Sequence, residues 1–251
     1  EEKAKISKLM DINLMTLSKV FPHTAKSLNE DISAVSVYKG KSRLKANIKI
    51  AKPRVILPVF AGTNCEYDTI KAFNKTGAKA EYLIINNLSP HDIEQSIDLL
   101  AKKIDNAQIV MLPGGFSGGD EPDGSGKFIA TTFRNPKIME SINNLLFNKD
   151  GLMLGICNGF QALIKLGLLP YGDIREMKKS DPTLTFNTIG RHISRLVDTR
   201  ITSVNSPWLS GCELSEVHTV AVSHGEGRFV AGEDDIIKLS KAGQIATQYV
   251  D

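Results

Sequence analysis

Four short apolar runs, each closing in a turn and then giving way to a helical pattern, constrain the fold of this chain more than any other feature. Residues 55–60 run Val-Ile-Leu-Pro-Val-Phe and stop at Gly62-Thr63-Asn64, after which Ile70 and Phe73 fall at helical spacing before Gly77. A second strand is expected at 81–85, followed by a helix that Ser89 caps and Pro90 opens. The third run, 109–112, ends in Pro113-Gly114-Gly115, with a helix expected near 136–147. The fourth, 152–156, leads straight into a helix over 158–168. Strands alternating with helices predict an α/β fold: a doubly wound, mostly parallel sheet with helices on both faces, binding ligands beyond the carboxyl ends of its strands. Residues 186–249 carry shorter alternating segments and no long helical pattern, which predicts added antiparallel strands extending the sheet.

Size and charge narrow the chemistry. A chain of 251 residues, 41% hydrophobic, can bury roughly 70–75% of its unfolded surface and needs neither disulfide nor metal to hold a core. Its three cysteines, Cys65, Cys157 and Cys212, are far apart and outside any zinc-ribbon or disulfide spacing, so they read as free thiols in a reducing compartment. With 31 basic against 28 acidic residues, the net charge of +3 is too small and dispersed for a nucleic-acid footprint. No apolar run approaches the ~20 residues that span a bilayer. A cytoplasmic protein without nucleic-acid or membrane partners is expected.

The chain divides near residue 53. Ile6, Met10, Leu14, Leu17 and Phe21 form an apolar stripe at helical spacing that Pro22 should end. From there to residue 52, lysines and Arg43 alternate through a polar segment read as a connector. Residues 1–52 are thus a helix and linker, and 53–251 the main domain.

The strongest chemical signal is Gly155-Ile156-Cys157-Asn158-Gly159, at the junction of the fourth strand and its helix. Glycines on both sides of a nucleophile let the backbone turn sharply and present the side chain above the sheet. The unpaired amides and dipole of the helix start favour negative charge there, and the Asn158 amide can face a developing oxyanion. A buried structural cysteine is the alternative. Cys65 lacks the second glycine and is assigned a packing or pocket-lining role, and nothing recommends Cys212. A thiol nucleophile needs a base and a group that orients it. Among five histidines, His224 follows an expected strand at 217–223, and Glu226, two residues on, shares its face and can turn its carboxylate toward the ring to fix its tautomer. A surface turn with a chance ion pair is the competing reading. His192, His23, His91 and His218 are read as structural or solvated. The third motif, Gly114-Gly115-Phe116-Ser117-Gly118-Gly119-Asp120, is an anion-accepting loop. It does not fit a phosphate loop and suits an oxyanion hole beside Cys157. Asp120, Glu121 and Asp123 read as an exposed acidic loop, and no metal site is assigned.

Together these motifs resemble the class I glutamine amidotransferases, of flavodoxin-like architecture. The stretches 113–120, 155–161, Ser206-Pro207-Trp208-Leu209 and 223–228 are most similar to the glutaminase domains of phosphoribosylformylglycinamidine synthases. The family commonly has Tyr where this chain has Gly118. The resemblance implies a Cys157-His224-Glu226 triad acting on L-glutamine. It implies an oxyanion hole from the Gly115 and Asn158 amides, and a substrate pocket formed by Gly114, Phe116, Ser117 and Gln161. It also implies ammonia delivery to a synthetase domain that converts formylglycinamide ribonucleotide to its amidine. ATP and magnesium are expected only at that second site, and no cofactor at the glutaminase. Residues 1–52 would be the tail of a preceding synthetase region, in a fused enzyme rather than a separate subunit acting in trans, and the glutaminase domain would be cut short at residue 251. A cysteine hydrolase or deglycase of the same fold, or a non-catalytic assembly module, stays open.

Overall fold

The computed structural model describes residues 5–15, 36–40, 50–119 and 126–250. The expected first helix is present as α1 (Ile6–Met15); Leu17, Phe21 and Pro22 lie outside the described residues, as do most of the connector and the acidic residues Asp120, Glu121 and Asp123. Within the described part of the connector, the Tyr38 amide donates to the Thr202 carbonyl of the main domain at 2.8 Å.

The apolar runs become parallel strands. β1 (Arg54–Val59) leads through α2 (Glu66–Lys75) to β2 (Lys79–Ile84), and α3 (Pro90–Asp105) leads on to β3 (Ile109–Leu112). Then come α4 (Lys127–Phe133), α5 (Pro136–Asn143), β4 (Leu152–Gly155) and α6 (Asn158–Leu166). The sheet order is β2-β1-β3-β4, all parallel. Helix starts follow their local chemistry. The Ser89 hydroxyl accepts from the Asp92 amide, Asn135 accepts from the Lys137 amide, and a proline opens each helix.

Alternation along β1 sorts its side chains into two cores. Ile56, Val110 and Leu112 pack with Leu100, Ile104, Phe133, Ile138 and Leu166 from the helices on one face. Val55, Leu57 and Met111 face the other side, against Ile70 and Phe73 of α2. Each such fully buried side chain contributes about 1.5–3 kcal/mol. Trp208 sits on this second side: its ring meets Phe73 edge-on and its indole N–H donates to the Met153 carbonyl at 3.1 Å. The Ser206-to-Leu209 motif is therefore a brace on β4.

The rest of the chain differs from the expectation in two respects. After a short turn, α7 (Leu168–Tyr171), it forms β5 (Thr183–Thr185), β6 (Ile193–Ile201), β7 (Val217–His224), β8 (Arg228–Val230), α8 (Glu233–Lys241) and β9 (Thr247–Val250). The strands are antiparallel, but they do not extend the parallel sheet. β7-β6-β9 form one sheet and β5-β8 another. Alternation reports that a segment is a half-buried strand and says nothing of its partner. The helix α8 was also unexpected, although Glu233, Asp234 and Asp235 in its first turn and Lys238 and Lys241 in its last suit the helix dipole.

Candidate active site

The order 2-1-3-4 reverses direction between β1 and β3, the place where open α/β sheets form their binding crevices. Here the two loops are joined: Thr63 and Gly115 form an isolated antiparallel bridge, with Asn64 N–H donating to Gly114 O and Phe116 N–H to Gly62 O, both at 2.8 Å. Gly118 N–H donates to Ala61 O at 2.8 Å, Gly119 N–H to Phe116 O at 3.0 Å, and Ser117 N–H to the Asn158 side-chain oxygen at 3.2 Å. Every amide from 116 to 119 is thus engaged. The Gly115 N–H has no partner among the described residues.

One strand over, the chain leaves β4 and turns into α6 through Cys157, whose backbone stands at φ 54° and ψ −112°. A side chain held at positive φ costs about 1–3 kcal/mol and persists where the surroundings over-determine it. The surroundings here are the two glycines. A Cβ on Gly159 would lie 2.0 Å from the Leu112 carbonyl oxygen, and one on Gly155 would lie 2.6 Å from the Gly159 carbonyl oxygen. Only bare backbone lets α6 cross the strand ends this closely. The result is an exposed thiol above the sheet, with Gly114 packed beneath it.

The thiol looks toward the end of β7. Cys157 Sγ lies 3.7 Å from the Ser223 carbonyl oxygen, one residue before His224. Burial, and then the neighbouring His192, hold the His224 ring below its ordinary value near 6.5, against an opposing pull from backbone hydrogen bonding. Glu226 is buried.

A buried polar relay ties the three motifs together. Asn158 accepts from the Ser117 amide, its NH2 donates to Gln161 Oε1 at 3.1 Å, and Gln161 Nε2 donates to the Glu226 carbonyl at 2.8 Å. Ser117, Asn158, Gln161 and Glu226 are all buried. Satisfied buried networks of this kind fix geometry, because breaking one member orphans the next.

These parts surround a cleft of about 120 Å3, lined by Gly115, Phe116, Gly119, Cys157, Gln161, Phe186, His192, Ser223, His224, Gly225 and Glu226. Its volume is well below the roughly 300–1,000 Å3 of pockets that enclose drug-sized ligands, which suits a small substrate group. A larger, open concavity between α3 and α5 shares no residue with it and holds no cysteine or histidine.

Of the residues expected in the site, Gly115, Phe116, Cys157, Gln161, His224 and Glu226 meet at the cleft. Gly114 lies below the thiol, and Ser117 and Asn158 are buried behind it. Cys65 is exposed at the start of α2 and does not line the cleft, so neither role assigned to it holds. His192, read as structural or solvated, lines the cleft and bonds Ser223 Oγ through Nε2 at 2.8 Å. Asn187 was missed altogether: its side-chain oxygen lies 2.9 Å from His224 Nδ1. Among the described residues, the one group able to gather on a metal is Cys212, Glu216 and His218, with ligand atoms within 4.8 Å of each other. It lies outside the cleft, and His218 and Glu216 already pair at 3.4 Å.

A nucleophile elbow, a glycine loop and a histidine strand end of this kind match a known family. The CobB/CobQ-like glutamine amidotransferase domain model covers residues 52–251. The chain belongs to that family. This glutamine amidotransferase domain is 35% identical over 203 residues to the phosphoribosylformylglycinamidine synthase subunit PurQ of Methanococcus maripaludis, spanning 79% of this chain and 67% of the relative. It is 35% identical over 196 residues to the PurQ subunit of Dehalococcoides mccartyi, spanning 76% and 68%. Among solved structures it is similar to PurLQS from Thermotoga maritima, with a TM-score of 0.57 and 26% identity over 80% of this chain and 76% of that one. Among the described residues of the amidotransferase, no helix is long and apolar enough to cross a membrane.

Proposed function

We propose that this chain is the glutaminase component of a phosphoribosylformylglycinamidine synthase. It hydrolyses the side-chain amide of glutamine and supplies the ammonia with which a synthetase converts formylglycinamide ribonucleotide to its amidine. The observation that carries the reading is Cys157, held at positive φ on the elbow with its sulfur facing the strand end that bears His224. The names of the PurQ relatives and of the PurLQS assembly supply the reaction and the partner.

In this mechanism His224 takes the thiol proton and the Cys157 sulfur attacks the amide carbon. Charge gathers on the former carbonyl oxygen, which accepts from the Gly115 and Asn158 amides. The C–N bond breaks as His224 returns its proton to the departing ammonia, leaving a glutamyl thioester. Water, deprotonated by the same ring, cleaves the thioester to glutamate and the free thiol. Glu226 balances the imidazolium in both halves. Gln161, Phe116, Gly114 and Ser117 shape the amide pocket. ATP and magnesium belong to the synthetase, which residues 1–52 would join in cis, and the whole acts in the cytoplasm.

The test is glutamate release from glutamine by the full-length protein with its synthetase partner, formed in step with the amidine product. Absence of glutamine hydrolysis in that assembly, with turnover of another thiol-labile substrate such as a glycated amine, would favour the deglycase alternative.

A pH dependence follows from His224. Its lowered value keeps the ring unprotonated and basic at neutral pH, so the acid limb of kcat/KM should lie below the ordinary histidine value. Replacing His192 by glutamine removes the neighbouring ring whose Coulombic effect helps lower His224, so the acid limb should move to higher pH. Profiles of the two proteins decide it; a limb that stays in place or moves down contradicts the assignment.

A further inference from the structure

We infer that Asn187 is a positioning residue that fixes the tautomer of His224, holding the proton on Nδ1 and leaving Nε2 as the basic nitrogen. The inference deepens the reading of His224 as the base and rests on it.

The pairing of β5 with β8 brings Asn187 to the His224 loop. Thr185 stands opposite Arg228, so the residues just after β5 run beside those just before β8. The Asn187 amide N–H donates to Gly225 O at 2.9 Å. Its side chain is buried, and each of its polar atoms has a defined neighbour. The Nδ2 group lies 3.0 Å from the Arg191 carbonyl oxygen and 2.7 Å from the His224 carbonyl oxygen. The Oδ1 atom lies 3.3 Å from the Gly227 amide nitrogen. Carbonyls can only accept and an amide N–H can only donate, so the side chain has one allowed orientation. Turning it over would set oxygen against two oxygens and an NH2 against an N–H.

That orientation decides the histidine. Oδ1 is the atom 2.9 Å from His224 Nδ1. An amide oxygen accepts only, so Nδ1 must carry the hydrogen, and in the neutral ring Nε2 then holds the lone pair. The ring cannot slide off this contact on its other side. A Cβ at position 227 would lie 2.3 Å from both His224 Nδ1 and Cε1, so the imidazole sits directly against the Gly227 backbone.

An amide does this differently from an acid. It selects the tautomer of the neutral ring without adding negative charge, and so does not favour the imidazolium as a carboxylate at that point would. The titratable groups that share the cleft with the ring are Cys157, His192 and Glu226. In the proposed mechanism Glu226 balances the imidazolium, whereas Asn187, which holds the Nδ1 contact, sets which nitrogen is free beforehand.

The test is ring-nitrogen NMR of histidine-labelled full-length protein with its synthetase partner, His224 being assigned by its loss in His224→Asn. At a pH where the ring is neutral, the expected spectrum has the pyrrole-type nitrogen at Nδ1. In Asn187→Leu the signature should become mixed or move to Nε2, with glutaminase kcat lower by about 10- to 100-fold and KM little changed, a loss no larger than the low end of the roughly 10²–10⁴ that a positioned base contributes. Asn187→Asp keeps the acceptor at Nδ1 but sets its second oxygen against the Arg191 and His224 carbonyls, so it should keep the Nδ1 signature, restore kcat only in part, and shift the acid limb of the pH profile upward because it adds a charge. A wild-type His224 protonated on Nε2 overturns the proposal whatever the variants do. So does an Asn187→Leu protein that folds and keeps both the Nδ1 signature and full kcat. If instead His224→Asn leaves glutaminase activity intact while the Nδ1 proton is seen, the assignment of His224 as base fails and the tautomer assignment stands.

Discussion

Replacing Cys157 by alanine should reduce glutamine-dependent amidine synthesis by at least about a thousandfold, as removal of a covalent nucleophile does in related acyl-transfer sites. Ammonia-dependent synthesis should stay within about twofold. The sulfur supplies the electron pair that forms the thioester, and no other thiol can take over: Cys65 is exposed off the cleft and Cys212 lies outside it. The substitution should not disturb the fold, because the thiol is exposed and leaves no core cavity. The cost of positive φ is already met with a Cβ present. Kinetics of the complete synthase with glutamine and with ammonium salt measure both numbers. Equal loss with both nitrogen donors would mean that Cys157 is structural.

The second large effect is expected at Gly159. A methyl group there would stand 2.0 Å from the Leu112 carbonyl oxygen and 2.6 Å from the Leu112 Cβ. These are backbone and near-backbone atoms of Leu112, a fully buried residue of β3, which cannot swing aside as a flexible side chain could. Either α6 moves off β3 or β3 bends, and overpacking of this kind costs about 1–3 kcal/mol. For a chain of this size each kcal/mol lowers Tm by ~2–4 °C, so Gly159→Ala should melt several degrees below the wild type. The activity loss should be larger than the stability loss suggests. Cys157 and the Asn158 amide are set by the same crossing, and an ångström of misplacement can cost about a hundredfold. Thermal melts and glutaminase kinetics of the purified variant test the pair of effects. An unchanged Tm with full activity would show that the crossing tolerates a side chain.

Local chemistry made half of this site legible in the sequence. The third and fourth strands, the Ser89 and Pro90 helix start and the elbow at Cys157 all rest on residues adjacent along the chain, and each lies where its pattern puts it. The relation among the antiparallel strands is a matter of long-range pairing, which alternation does not encode, so the separate sheets were not foreseen. Asn187 shows the same limit at the site. It lies in a turn-rich stretch with no spacing to either nucleophile or base, and only the β5–β8 pairing brings it to His224. His192 was discounted for want of a neighbour in sequence; its partner Ser223 comes from the adjoining strand. Gln161 was identified through family resemblance, but its bond to the Glu226 carbonyl joins segments 65 residues apart.

The central claim is that Cys157 is the nucleophile of a glutamine pocket. Peptide mass spectrometry of the full-length protein with its synthetase partner tests it most directly, after treatment with an electrophilic glutamine analogue, with and without excess glutamine. A single adduct on Cys157 that glutamine suppresses is the expected result. Modification of Cys65 or Cys212 in its place, or labelling of Cys157 that glutamine does not slow, would contradict it.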